Sequence, residues 1–206
     1  MQHISTGFDR LAPVYTLLTK IIFGGMIQKA QLHFLTHISS DDRVLILGGG
    51  SGDLLKLILE KHPRLIIDYI DISPKMLELA RQKVQNAANV NFIEGTEQNI
   101  PGTSYSIAIT NFYLDLFTDP TLAEVITTIK KSLQHPAKWL VTDFVNEKIW
   151  QRIMLWIMYR FFRSTTGIEA SQLPDWESAI KKTKARVVDS KRFYCGFIKA
   201  CVCVVD

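Results

Sequence analysis

Val44-Leu45-Ile46-Leu47-Gly48-Gly49-Gly50-Ser51-Gly52 decides the fold class of this chain. A short apolar run, right for a buried strand, stops at a cluster of glycines. Behind it Leu54, Leu57 and Ile58 recur at helical spacing. Glycine lets a backbone turn sharply and lets a ligand approach without a Cβ clash. The helix that leaves the turn presents unpaired N–H groups and a partial positive charge. Strand, glycine turn and helix in that order predict a ligand crevice at the carboxyl edge of an α/β sheet.

Spacing narrows the ligand. A dinucleotide fingerprint needs G-x-G-x-x-G. Counted from Gly48, its third glycine would fall on Asp53, so that pattern fails. The pattern present is G-x-G-x-G, at Gly48, Gly50 and Gly52. A second apolar run, Leu65-Ile66-Ile67, leads to Asp71, 19 residues after Gly52. A carboxylate there can accept both hydroxyl protons of a ribose, and Ile72 beside it can press on an adenine face. Ser73-Pro74 then supplies an N-cap and a first-turn proline for a helix carrying Met76, Leu77, Ala80 and Val84.

Further strands are expected at Val90 to Ile93, Ser106 to Thr110 and Trp139 to Phe144, with a helix at about Leu122 to Leu133. A long apolar-rich helix is expected from about Glu147 to Phe162. Two β-rich runs around Gly196, Arg186 to Tyr194 and Phe197 to Val205, suggest a closing hairpin. The sum is a Rossmann-like α/β fold: a seven-stranded, mostly parallel sheet with one antiparallel strand from the C-terminal hairpin and helices on both faces. Residues 1–38 read as an N-terminal helical lid segment broken at Gly24-Gly25, and residues 39–206 as the ligand-binding domain.

Composition excludes several classes. With 206 residues, 47% apolar and 21% charged, the chain suits a globular fold that needs no disulfide or metal staple. Cys195, Cys201 and Cys203 fit neither a disulfide framework nor a zinc knuckle, and the five histidines lack metal-site spacing, so no metal is expected. The net charge is only +4, and no basic tail is present, which argues against nucleic acid. Ten of the 24 basic residues do lie between Lys148 and Arg192, which keeps RNA as a minor alternative. Met1 to Asp9 lacks a signal-peptide layout and no window is apolar enough to span a membrane, so a cytoplasmic setting is expected.

The glycine loop and Asp71-Ile72-Ser73-Pro74-Lys75-Met76-Leu77 together resemble the class I S-adenosylmethionine-dependent methyltransferases, in particular the short type related to quinone and small-molecule C- and O-methyltransferases. Phe8-Asp9-Arg10-Leu11-Ala12-Pro13-Val14-Tyr15 is similar to that group's N-terminal Y-D-x-x-A-x-x-Y segment, and Gly95-Thr96-Glu97-Gln98-Asn99-Ile100-Pro101 to its G-D-A-x-x-L-P loop. The resemblance implies S-adenosylmethionine held by Gly48, Gly49, Gly50, Gly52, Asp71, Ile72, Thr96, Glu97, Asn111 and Tyr15. It implies methyl transfer to carbon or oxygen of a small, rather apolar acceptor. Two positions depart from the family: Ile46 stands where an acid is usual, and Thr96 where an aspartate accepts from the adenine amino group. These departures leave a second reading, a weakened methyltransferase fold used as a scaffold. Taken alone, the glycine loop also suits a plain turn of a flavodoxin-like domain.

Tyr113 and Asp115, after the fourth strand, are candidates to orient or deprotonate the acceptor, and Asp143 is a third. Each also has a structural reading, as packing or as a cap. The Glu147 to Phe162 helix is apolar on more than one face and punctuated by Arg152, Arg160 and Arg163. It suits a wall of the acceptor pocket or a peripheral membrane contact, a homodimer interface, or buried core.

Overall fold

The structure, a computed structural model, describes residues 23–85, 87–102 and 104–206. Seven strands form one sheet: β1 (Arg43–Leu47), β2 (Ile66–Asp71), β3 (Val90–Glu94), β4 (Tyr105–Asn111), β5 (Leu133–Phe144), β6 (Arg186–Phe193) and β7 (Ile198–Val205). Their order is β3-β2-β1-β4-β5-β7-β6. The first five run parallel, and β7 lies antiparallel between β5 and β6. The expected hairpin is therefore present, its turn at Tyr194–Gly196.

Among the described residues six α-helices accompany the sheet: α1 (Met26–Leu32), α2 (Asp53–Lys61), α3 (Pro74–Lys83), α4 (Asp119–Ser132), α5 (Ile149–Thr166) and α6 (Trp176–Lys182). Side chains alternate across a strand, so β1 feeds two cores. Leu45 and Leu47 pack with Val125, Ile126 and Ile129 of α4 and Ile180 of α6. Val44 and Ile46 pack with Leu55 and Ile58 of α2 and Leu77 and Ala80 of α3. Each such fully buried aliphatic side chain contributes ~1.5–3 kcal/mol relative to exposure. Ile46 is a core residue for this reason: its side chain points to a helix layer, 2% exposed.

The N-terminal expectation is described only in part. Tyr15 and the rest of residues 1–22 lie outside the described residues. Beyond them, Phe34, Leu35 and Ile38 are buried in the α2–α3 core. Phe23 and Ala30 join a third cluster with Phe144, Leu155, Tyr159 and Phe197 at the carboxyl end of β5. Cys201 and Cys203 are buried on one face of β7, as small hydrophobes.

Strand order reverses at β1. The chain moves outward from β1 to β2 and β3, then returns to lay β4 on the other side. The loops after β1 and β4 diverge there, and the crevice between them is where open α/β sheets bind ligands.

Candidate cofactor and active site

The turn after β1 is held in place by β2. The N–H groups of Gly48 and Gly49 donate to the Ile70 carbonyl at 3.0 and 3.3 Å. Gly50 donates to Asp71 Oδ2 at 2.7 Å, and the Tyr69 hydroxyl donates to the Gly50 carbonyl at 3.0 Å. Three consecutive residues of one strand thus fasten three consecutive glycines. Geometry dictates glycine here, as Gly50 and Gly52 show. Gly50 has φ +67°, and a Cβ there would meet nothing within 4 Å, so the turn opens outward at that point. Gly52 has φ +83°, and a Cβ there would sit 2.7 Å from the Ala80 Cα, so only glycine lets α3 press against the start of α2. Lys83 bridges the rim, donating to Asp53 Oδ1 at 2.7 Å and to Ser51 Oγ at 3.1 Å.

Asp71 ends β2 and is 8% exposed. Its Oδ1 accepts from the Ser73 N–H at 2.9 Å. Ser73 in turn caps α3, its hydroxyl accepting from Met76 N–H at 3.1 Å. Asp71 therefore joins the glycine turn to the next helix. Sequence reasoning assigned it only the sugar contact.

The loop after β3 brings Thr96 and Glu97 to the same edge, and Gly95 N–H donates to the Asp71 carbonyl at 3.0 Å. Thr96 caps the following turn: its hydroxyl accepts from Gln98 N–H at 3.3 Å, and its own N–H donates to Asn99 Oδ1 at 3.1 Å. Glu97 is buried and accepts from the Tyr113 hydroxyl at 2.7 Å. The Tyr113 ring also lies against Gly48, where an added Cβ would sit 2.7 Å from its Cδ2. Tyr113 therefore spans all three loops. Burial, and then the neighbouring Glu97 charge, push its phenol well above the ordinary range, so it stays protonated. Asn111, half-buried, ends β4.

Beyond Tyr113 two carboxyls meet. Asp143, fully buried at the end of β5, accepts from the N–H groups of Leu114 (3.1 Å), Asp115 (3.3 Å) and Phe144 (2.8 Å). Asp115 is buried, and its Oδ1 has no hydrogen-bond partner among the described residues. Burial pushes the Asp115 carboxyl up to about 7. Burial and then the Asp115 charge push Asp143 well above the carboxylate range. A negative charge on one opposes a negative charge on the other. The Tyr159 hydroxyl, from α5, donates to the Asp115 backbone carbonyl at 2.8 Å. A cleft of about 240 Å³ opens just past Asp143, between residues 144–147 and 173–177.

The described candidates thus gather at the carboxyl ends of β1 to β5. Tyr69 and Tyr159 were missed by sequence reasoning. Neither stands in a motif, and only a fold shows where their hydroxyls point.

Residues 44–135 match the family description "Methyltransferase domain". The likeness their motifs carry is to the class I S-adenosylmethionine-dependent type. The chain is 35% identical to the demethylmenaquinone methyltransferase of Thermotoga maritima over 102 residues, 48% of this chain and 43% of that relative. It is 25% identical to a malonyl-acyl-carrier-protein O-methyltransferase of Halalkalibacterium halodurans over 132 residues, 57% of this chain and 48% of the relative. It spans less than half the length of these curated relatives. Among solved structures, an O-methyltransferase family protein from Burkholderia thailandensis superposes with TM-score 0.72 at 16% identity, covering 94% of this chain and 59% of that one. The 1,6-didemethyltoxoflavin N1-methyltransferase of the same organism, solved with S-adenosylhomocysteine, superposes with TM-score 0.70 at 14% identity, covering 99% and 88%. These structural likenesses establish the fold of the methyltransferase domain. Among the described residues no cluster of His, Cys, Asp or Glu could hold a metal, and no helix is long and apolar enough to cross a membrane.

Proposed function

We propose that this protein transfers a methyl group from S-adenosylmethionine to carbon or oxygen of a small, rather apolar acceptor. The observation that carries the reading is the glycine turn, fastened to β2 and opening at Gly50 beside the Asp71 carboxylate. That cradle fits a nucleoside with an amino-acid tail. Gly48, Gly49, Gly50 and Gly52 and the N-terminus of α2 would face the tail and its carboxylate. Asp71 would accept from the ribose hydroxyls. Ile72 would cover the adenine, with Thr96, Glu97 and Asn111 along its edge, and Tyr15 would close from the N-terminal segment.

When bound, the sulfonium cofactor supplies the electrophilic methyl. The chain's own task is alignment, which can supply ~7–11 kcal/mol when the acceptor atom is held close and in line. A proton must also leave an acidic acceptor carbon or hydroxyl. Asp115 suits that role because its carboxyl lies near neutrality and its Oδ1 is unpartnered among the described residues. Asp143 positions it by accepting its backbone N–H. Tyr113, bonded to Glu97, is a strut beneath the glycine turn rather than a base. The acceptor class follows the relatives: a quinone precursor ring is named for one and a malonyl thioester carrier for another.

Calorimetric titration with S-adenosylmethionine and S-adenosylhomocysteine tests the cofactor half. Micromolar binding that weakens in Asp71→Asn is the expected result. No heat, and no thermal stabilisation at millimolar ligand, overturns the reading. A panel of demethylated quinones and malonyl thioesters with radiolabelled methyl donor tests the acceptor half.

A further inference from the structure

Helix α5 (Ile149–Thr166) leaves a large part of its apolar surface uncovered. The side chains it buries are Gln151, Leu155, Tyr159 and Thr166, with Met154, Met158 and Phe162 packed half-buried beside them. The side chains it exposes include Ile149 at 76%, Trp156 at 63% and Ile153 at 55%, with Ile157, Trp150 and Phe161 beside them. At 100° per residue these six occupy one continuous stripe opposite the buried face. A water-facing surface of that composition marks an interaction site.

Charge identifies the occupant. Arg152, Arg160 and Arg163 are exposed on the same helix, Lys148 is exposed just before it, and residues 149–166 contain no Asp or Glu. A second copy of this face would bring Arg160 of one stripe onto the arginines of the other. Segment 1–22 carries one acid, Asp9, against Arg10 and Lys20, and so offers no compensating charge. An anionic lipid surface offers both requirements: apolar depth for Trp, Ile and Phe, and phosphates for the arginines. Tryptophan and arginine at the boundary of a lipid layer match their amphipathic chemistry. The 18-residue helix, about 27 Å long, is not apolar enough to cross a bilayer. We propose that α5 docks this protein flat on a membrane surface bearing anionic phospholipid. The proposal is independent of the methyl-transfer reading.

Co-sedimentation of the full chain with vesicles tests it. One set contains phosphatidylglycerol and phosphatidylcholine, the other phosphatidylcholine alone. Wild type is expected to partition onto the anionic set at least about tenfold more strongly, with a blue shift of tryptophan emission and loss of binding at high salt. Ile153→Glu with Trp156→Glu, and separately Arg160→Glu with Arg163→Glu, are each expected to lower partitioning about tenfold or more. Circular dichroism and S-adenosylhomocysteine binding are expected to be unchanged, which separates docking from folding and from the cofactor site. Equal binding to both vesicle sets overturns the proposal, as does binding by the variants at wild-type strength. Absence of wild-type binding, together with a dimer in light scattering that Ile153→Glu dissociates, overturns it in favour of a second copy.

Discussion

The two halves of the sheet's carboxyl edge are built by different means. On the β1–β2–β3 side the site is backbone: glycine N–H groups and carbonyls bonded to three successive residues of β2, with one carboxylate at the junction. On the β4–β5 side it is side chain: a buried acid pair, a phenol on a glutamate, and a tyrosine reaching in from α5. A backbone cradle suits a ligand that every member of a fold shares. Side chains held by long-range packing suit the partner that differs among them. The first half should break through steric changes, the second through changes of charge.

Gly52→Val should break the first half most completely. The left-handed backbone costs ~1–2 kcal/mol for a residue bearing a Cβ, and the clash with the Ala80 backbone adds ~1–3 kcal/mol. At ~2–4 °C per kcal/mol, melting should fall by roughly 4–20 °C, and cofactor binding should be lost in the same titration. Retained binding would show that the cradle tolerates a side chain at its hinge.

Asp115→Asn tests the second half. If Asp115 removes the acceptor's proton, turnover should fall by ~10²–10⁴ with cofactor affinity intact. The wild-type rate should climb as pH passes about 7, and the climb should vanish in the variant. Stability carries the opposite sign. A carboxyl raised from 3.8 to about 7 by folding leaves the protein most stable below pH 4 on this account. That contribution is lost progressively as pH rises from about 4 through about 7. Urea unfolding at pH 5 and pH 8 should therefore differ more in wild type than in Asp115→Asn.

Asp71→Asn is expected to be milder. The amide keeps one acceptor but turns a donor toward either Gly50 N–H or Ser73 N–H, so cofactor affinity should drop by about 10–100-fold in calorimetry. Tyr159→Phe should be smallest, losing one hydrogen bond of ~0.5–1.5 kcal/mol. Its informative readout is the pH profile, which should shift while melting barely changes.

The legibility of the sequence follows the same division. Gly48 to Gly52 and Asp71 were readable because turn sterics, capping and strand length act over a few residues. Seven strands were expected and seven are present, with β5 beginning six residues earlier than its apolar run, at Leu133. Helix α6 was not anticipated: seven residues with Trp176 and Ile180 facing inward give too short a period to recognise. Asp115 and Asp143 stand 28 residues apart and meet only because β4 and β5 pair. Their local surroundings carried no trace of each other. The orientation of α5 was equally hidden, since a helix apolar on several sides does not reveal which side the protein covers.

One bond ties the surface to the chemistry. The hydroxyl of Tyr159 grips the peptide oxygen of Asp115 from a helix whose opposite flank is greasy and cationic. Whatever leans on that flank and tilts the rod must drag the peptide carrying the unpartnered carboxyl with it, or tear the link. The helix is thus a lever with its handle outside and its tip beside the acid.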